Sequence, residues 1–330
     1  MVIELRTRLT KLFPLIILLA ILFLFPLFAP SYQIFLLSYA LLLALTALGY
    51  NLLFGKAGLL SFGHAAYFGL GAYVPGFLTT YTSIRSLEIW LILSIAVSAI
   101  IGALIGYVCV KYTRIHFALL TLAFSMMFYS LLFKFYDITR GDDGLYVAMA
   151  DILGTSFKMS KDAYIAGPLY YATVVIFLIL VGVGWIIYNS PFGKTLEAIG
   201  NNSARVEFLG VPVKRYKWYA FIISSIYGGI AGCLFGILSG HVSPTALHWV
   251  FSGEIVFMCI LGGTRLFIGP IVGALLFTYI KTYTITFTIY WQLLFGSILV
   301  ILVLLFPKGV LAGALTLLRR SRGEKVGLHT

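Results

Sequence analysis

Long apolar runs, broken by short polar stretches, set the pattern of this 330-residue chain. A bilayer core of about 30 Å takes roughly 20 apolar residues per helix. Seven runs meet that length clearly: Phe13–Ala29, Ile34–Phe54, Ile89–Val110, Ile115–Phe133, Pro168–Tyr188, Trp218–Gly240 and Phe287–Phe306. Three softer ones, Gly58–Leu78, Ala246–Gly263 and Phe267–Tyr283, carry more glycine and polar residues. The pattern predicts an all-α, polytopic transmembrane helical bundle of about ten spans. Eight full spans with two of the soft segments re-entrant is the alternative. The first run follows Arg6, Arg8 and Lys11 as a signal peptide would, but Phe25-Pro26-Leu27-Phe28 offers no small-residue cleavage site, so it reads as a helix. Two connections stand out, an outer loop over 134–167 and an inner loop over 189–217. Residues 1–330 read as a single transmembrane domain.

Composition agrees with the pattern. With 61% apolar and only 10% charged residues, the chain has too little polar material to coat a water-soluble core. A net charge of +12 raises nucleic acid as a partner, but the basic residues are scattered between long uncharged runs. They sort by side instead. With the N-terminus inside, Arg6, Arg8, Lys11, Lys56, Lys111, Arg114, Lys194, Arg205, Lys214, Arg215, Lys217, Arg265, Lys308, Arg319, Arg320, Arg322 and Lys325 are cytoplasmic, 17 of the 23 Lys and Arg. The outer side keeps Arg85, Lys134, Arg140, Lys158, Lys161 and Lys281. That asymmetry predicts N-in, C-in.

Few residues suggest chemistry. Cys109, Cys233 and Cys259 all lie in apolar runs, so neither a disulfide framework nor a zinc site is indicated. Gly193-Lys194-Thr195 resembles the end of a phosphate-binding loop, but that motif needs glycine where Tyr188 stands. An intramembrane enzyme would need a nucleophile with its base or paired carboxylates; Asp137, Asp142 and Asp143 share one outer loop without a matched partner. Glu254 is the sole acidic residue inside a predicted span, too few for a proton-driven carrier. His241 and His248 flank Ser243-Pro244 in an outer loop and read as solvated or interfacial.

The glycine-rich segment from Gly55 to Tyr73 permits close helix packing, and broken spans of this kind border substrate paths in transporters. Gly63, His64 and Glu254 are therefore candidates for a translocation path, with a hydrogen-bonded structural histidine as the blander reading of His64. Ser224, Gly228, Gly232, Gly236 and Gly240 recur every four residues, a stripe for close helix packing. Gly269-Pro270 marks a helix start. In the inner loop, Ser190-Pro191 is a capped helix start, after which Leu196, Ile199, Val206 and Leu209-Gly210 recur at near-helical spacing. That predicts one short, largely polar helix. It is either a solvated interfacial helix or a docking knob whose apolar ridge enters a groove on a soluble partner.

Leu60-Ser-Phe-Gly-His-Ala-Ala-Tyr-Phe-Gly-Leu-Gly-Ala-Tyr73 resembles a signature of the branched-chain amino acid ABC importer permeases of the LivM type. So do Ser190–Gly200, Ala204-Arg205 and Leu209-Gly210, followed in order by Val242-Ser243-Pro244, Leu261-Gly262-Gly263 through Gly269-Pro270, and Phe306-Pro307-Lys308-Gly309. The outer Thr139–Leu145 stretch fits too, although Arg140 stands where many relatives carry glycine, and Asn201-Asn202-Ser203 lacks an acidic residue often found there. The resemblance implies a ten-helix permease subunit, not an enzyme, that binds no cofactor or metal itself. It implies a cytoplasmic coupling helix contacting the ATPase through Leu196, Glu197, Ala198, Ile199, Gly200, Arg205, Leu209 and Gly210. Implied partners are a second homologous permease, two cytoplasmic ATPase subunits that use ATP and Mg, and an extracytoplasmic binding protein, in the plasma membrane of a prokaryote. The implied cargo is leucine, isoleucine and valine; related permeases carry monosaccharides, urea or short amides.

Overall fold

A computed structural model describes residues 19–112, 114–313 and 316 of the chain. The basic residues expected at the two ends, Arg6, Arg8, Lys11, Arg319, Arg320, Arg322 and Lys325, lie outside the described residues, as does the first part of the Phe13–Ala29 run. The described chain is a bundle of helices. We number them α1 (Leu19–Phe28), α2 (Ser31–Lys56), α3 (His64–Tyr81), α4 (Leu87–Cys109), α5 (Arg114–Lys134) and α6 (Lys161–Asn189). There follow α7 (Pro191–Asn201), α8 (Ser203–Phe208), α9 (Val213–Ser239), α10 (Trp249–Gly262), α11 (Gly269–Phe287) and α12 (Trp291–Leu305). Among the described residues, α2, α4, α5, α6 and α9 are long and apolar enough to cross a membrane, and α1, α10 and α12 are shorter apolar helices. Sheet among the described residues is a two-residue antiparallel ribbon, Leu145–Tyr146 against His241–Val242.

The predicted runs land on helices with two informative differences. The soft run expected from Gly58 is non-helical until His64; the chain leaves α2 through a π-helical turn at Leu52–Lys56. At the C-terminal end, residues expected in the Phe287–Phe306 span instead form the turn between α11 and α12 at 288–290. Pro270 in the first turn of α11 supplies a fixed φ where no amide partner is needed. In α6 a π-helical turn at Ile165–Leu169 accommodates Pro168, whose ring and missing N–H disrupt an ordinary α-helical ladder.

Helix α2 is the axis of the bundle. Every residue from Ala40 to Leu53 is buried, as expected of a helix that is apolar all round. Helices α6, α9, α10 and α11 pack on it. By contrast α4 and α5 leave Ile92, Ile100, Leu104, Ile115 and Leu119 exposed, a surface suited to lipid or another apolar partner. The α9 stripe lies against α3: Gly228 beside Tyr67 and Phe68, Gly232 beside Phe68, Gly236 beside Ala72. A methyl on Gly232 would run into the Phe68 carbonyl oxygen, so the two backbones touch directly. Lipid tails are as apolar as leucine, so such close approach, with its dispersion contacts, is what joins these helices. Gly240 ends α9 at φ +70, the left-handed conformation that glycine adopts without strain.

The bundle has two chemically different ends. At one, Lys56, Glu197 and Arg265 border a single cleft. At the other, Leu145 pairs with Val242, Asp151 bridges to Ser86, and Lys161 donates to the Ser239 carbonyl at 2.8 Å. We predict that Gly232→Leu lowers the thermal midpoint of the purified protein strongly, since overpacking costs about 1–3 kcal/mol where it can be relieved at all. Gly182→Ala, whose added methyl meets nothing within 4 Å, leaves the midpoint unchanged. Thermal unfolding followed by size-exclusion chromatography reads both.

Candidate functional site

Two sites take shape from the sequence motifs, and they adjoin. The first is the break between α2 and α3. Backbone that leaves the helical ladder inside a membrane protein must find partners within the protein, because lipid offers none. Side chains from three helices, and Ser61 of the break itself, supply them. Tyr50 on α2 donates its hydroxyl to the Ser61 carbonyl at 3.1 Å and accepts the Ser61 N–H at 3.1 Å. Thr121 on α5 accepts the Phe62 N–H at 3.1 Å, and Ser252 on α10 accepts the Ala65 N–H at 2.8 Å. Ser61 itself accepts the Gly63 N–H at 3.2 Å.

His64 completes this hub. It is fully buried, its Nδ1 lies 3.0 Å from the Ser61 hydroxyl and its Nε2 2.7 Å from the Ser224 hydroxyl of α9. The Tyr50 ring meets it edge-on at 4.7 Å between centroids, and Phe221 does so at 5.9 Å. Both ring nitrogens are engaged, so His64 joins α3 to α9. Gly63 beside it packs against the Thr121 carbonyl, where no side chain fits. Gly63 and His64 hold the break together.

The second site is the loop between α6 and α9. Ser190 caps α7 by accepting the Gly193 N–H at 3.2 Å, with Pro191 in the first turn. The single helix expected here is two. Asn202 stands in an extended conformation (φ −158°) and accepts the Arg205 N–H at 3.0 Å, ending α7 and starting α8. The apolar ridge also points elsewhere than expected for a docking knob. Leu196, Ile199 and Val206 are buried against the rest of the protein, Leu196 with Leu59, Phe192 and Phe221, and Ile199 and Val206 with Val213. Burial of that face fixes the loop to the bundle. Ala198, Gly200, Arg205, Leu209 and Gly210 are exposed, and the most exposed apolar pair is Phe208 (91%) and Leu209 (78%), at the tip.

Contacts between the two sites run through the end of α2. Glu197 on α7 forms an ion pair with Lys56, whose ammonium also lies 3.8 Å from the centre of the Tyr188 ring. The α7 backbone at Gly200 rests on the Lys56 carbonyl and beside Gly58, too close for any side chain. Asn51 donates to the Thr264 carbonyl at 3.0 Å and Tyr188 to the Arg265 carbonyl at 2.8 Å, which brings the α10–α11 turn to the same place. Lys56 is buried while Glu197 is half exposed, so as an ion pair it contributes little stability, on the order of 0–1 kcal/mol. Its consequence is position: together with the Gly200 contact it ties α7 to the foot of α2.

The third path candidate, Glu254, is paired with Lys281 on α11 at 2.5 Å. Lys281 carried no signal as its partner, because the pairing depends on the rotation of two helices. At the end of the molecule that carries the Leu145–Val242 ribbon, Tyr136 donates to the Asp143 carboxylate at 2.6 Å, which holds the Tyr136 hydroxyl above its ordinary pKa. His241 Nε2 lies 2.7 Å from the Asp143 carbonyl, and His248 packs edge-on against Tyr129 at 5.2 Å. Among the described residues, no group of three His, Cys, Asp or Glu side chains could hold a metal ion.

Comparison with known proteins shows the family. Residues 32–304 match the family described as branched-chain amino acid transport system, permease component. The chain belongs to that family. The permease is 28% identical over 300 residues to the high-affinity branched-chain amino acid transport system permease protein LivM of Salmonella typhimurium, covering 85% of this chain and 70% of the relative. The LivM protein of Escherichia coli K12 is 27% identical over 302 residues with the same coverage. The autoinducer 2 import system permease protein LsrC of Enterobacter sp. strain 638 is 31% identical over 191 residues, 54% of this chain and 55% of that one. No solved structure matches.

Removing one partner from a buried hydrogen bond strands the other, at about 1–3 kcal/mol. Ser224→Ala is therefore expected to lower the thermal midpoint of the permease by leaving His64 Nε2 unpaired. Ser297→Ala, which removes only an exposed hydroxyl bonded to the Leu293 carbonyl four residues back, is expected to leave it in place. Melting curves of the two purified variants make the comparison.

Proposed function

We propose that this permease is one membrane subunit of an ATP-driven importer of leucine, isoleucine and valine, working by alternating access. In this reading the chain crosses the membrane ten times with both termini inside, in the plasma membrane of a prokaryote. A second, homologous permease subunit pairs with it, an extracytoplasmic binding protein delivers the amino acid, and two cytoplasmic ATPase subunits use ATP and Mg. The end of the bundle that holds Lys56, α7 and Arg265 faces the cytoplasm, in line with its excess of Lys and Arg.

The observation that carries the reading is the α7–α8 loop. Its inner face is buried on the permease, its hinge with α2 is an ion pair and a backbone contact, and its tip presents Phe208, Leu209 and Arg205 outward. That is the form of a coupling lever. A rigid attachment receives movement and an exposed apolar tip with a cation beside it offers a partner something to grip. Binding and hydrolysis of ATP in the partner subunits supply the energy. The permease itself makes and breaks no bonds.

Cargo has a second reading. The LsrC relative, an autoinducer 2 import permease, supports a more polar, sugar-like cargo, and the lever would serve either. Uptake by the reconstituted complex decides: labelled leucine uptake that needs ATP and is competed by isoleucine and valine supports the first, and competition by monosaccharides alone supports the second. For the lever, we expect Leu209→Asp and Arg205→Glu each to weaken retention of the ATPase subunits on immobilised permease by about tenfold or more, the loss of one interface anchor. Because both side chains are exposed, the thermal midpoint of the permease alone stays unchanged. Full retention of the ATPases by both variants would remove the lever from the account.

A further inference from the structure

An apolar groove of about 630 Å³ opens between α10, α11 and α12, and its floor holds opposite charges, the Glu254–Lys281 pair. The walls that matter here are Phe257, Phe277, Phe295 and Leu299. Glu254 lies five residues into α10 and Lys281 six residues before the end of α11, so both sit about 8–9 Å along their helices from the end that carries the Leu145–Val242 ribbon. Glu254 and Lys281 remain partly open to the groove, at 19% and 27% exposure.

This arrangement is unusual for a purely structural device. Helices in lipid are joined by small residues and dispersion, as α9 and α3 are here, and an ion pair facing an apolar groove is costly to keep. It has a use if the groove receives a molecule that is itself both cation and anion. An α-amino acid carries an ammonium and a carboxylate on neighbouring atoms. On arrival the ammonium replaces Lys281 at the Glu254 carboxylate and the carboxylate replaces Glu254 at the Lys281 ammonium. Every charge has a partner before and after, so the exchange leaves none stranded in a medium where stranding is most expensive. A branched aliphatic side chain then lies against Phe257, Phe277, Phe295 and Leu299. A neutral sugar offers no charges to exchange, and the apolar walls leave its hydroxyls unpaired.

We propose that the groove with Glu254 and Lys281 is a transient binding site for a zwitterionic, aliphatic amino acid near the outer end of the permease. The proposal rests on the amino acid importer reading above. It gives this chain its own part in choosing cargo, which the binding protein alone would otherwise set.

A single new thiol tests it. Phe257 is half exposed in the groove, whereas Cys109, Cys233 and Cys259 are buried. In the assembled complex, reconstituted in lipid, Phe257→Cys is reacted with a small maleimide with and without saturating leucine. The expected result is that leucine slows modification at least several-fold, that Glu254→Gln with Lys281→Met abolishes this protection, and that the exchanged pair Glu254→Lys with Lys281→Glu restores it. Co-elution of the subunits shows that each variant assembles, and a merely structural pair would not link leucine protection to charge. Absence of protection in a complex that still takes up leucine with ATP overturns the proposal and leaves the importer reading standing. Protection that survives in the Gln/Met double variant also overturns it. So does modification that responds to phosphatidylethanolamine in place of phosphatidylglycerol but not to leucine, which would assign the groove to a lipid headgroup. A thiol that reacts in the isolated permease but not in the assembled complex, with or without leucine, overturns it in favour of a neighbouring subunit. If the parent complex shows no ATP-dependent amino acid uptake at all, the importer reading falls and the proposal with it.

Discussion

A peptide group without a partner in lipid costs several kcal/mol, and this chain departs from helix at residues 57–63 inside its own bundle. The hydroxyls of Tyr50, Ser61, Thr121 and Ser252 meet that demand, and His64 with Ser224 closes the set. Helices α2, α3, α5, α9 and α10 must all stand where these bonds require. The close glycine contacts between α3 and α9 follow from the same geometry, since the His64–Ser224 bond and the Gly232–Phe68 contact lie on one helix pair. The break is therefore a fixed point of the bundle.

Six residues beyond Tyr50, the foot of α2 carries the loop that we read as the lever. Rigid connection matters more here than stability. The Lys56–Glu197 pair, with its carboxylate half exposed, adds little to folding free energy, but together with the Gly200 backbone contact it ties a surface helix to the deeply buried α2. In that reading, movement imposed at Phe208 and Leu209 would pass along α7 to α2 and so to the hub. A soft, solvated interfacial helix would dissipate it. The burial of Leu196, Ile199 and Val206 on the inner face fastens the loop to the bundle, which supports the lever reading.

Sequence alone carried the helices and much of the packing. Apolar runs located the long helices, because length and hydropathy are local properties, and the four-residue stripe identified the face of α9 that meets α3. Ser190-Pro191 located the start of α7 by the same local logic of caps. What stayed hidden was pairing at a distance: Glu197 with Lys56 across 141 positions, and Glu254 with Lys281 across 27. Such pairs depend on the rotation of helices about their axes, which composition does not encode. The direction of the Leu196–Val206 ridge was hidden for a related reason, since a buried face and a docking face have the same period. Asn202 was legible in principle, as a capping residue ahead of Ser203-Ala204-Arg205, and marks where one expected helix divides.

In the lever reading the loop and the foot of α2 move as one body. ATP hydrolysis and amino acid uptake measured together, in proteoliposomes of the complex, test it on three variants. Lys56→Met and Glu197→Gln are each expected to keep hydrolysing ATP while uptake per ATP falls, and the exchanged pair Lys56→Glu with Glu197→Lys is expected to recover part of the coupling. Uptake per ATP equal to the parent's in both single variants would contradict the claim.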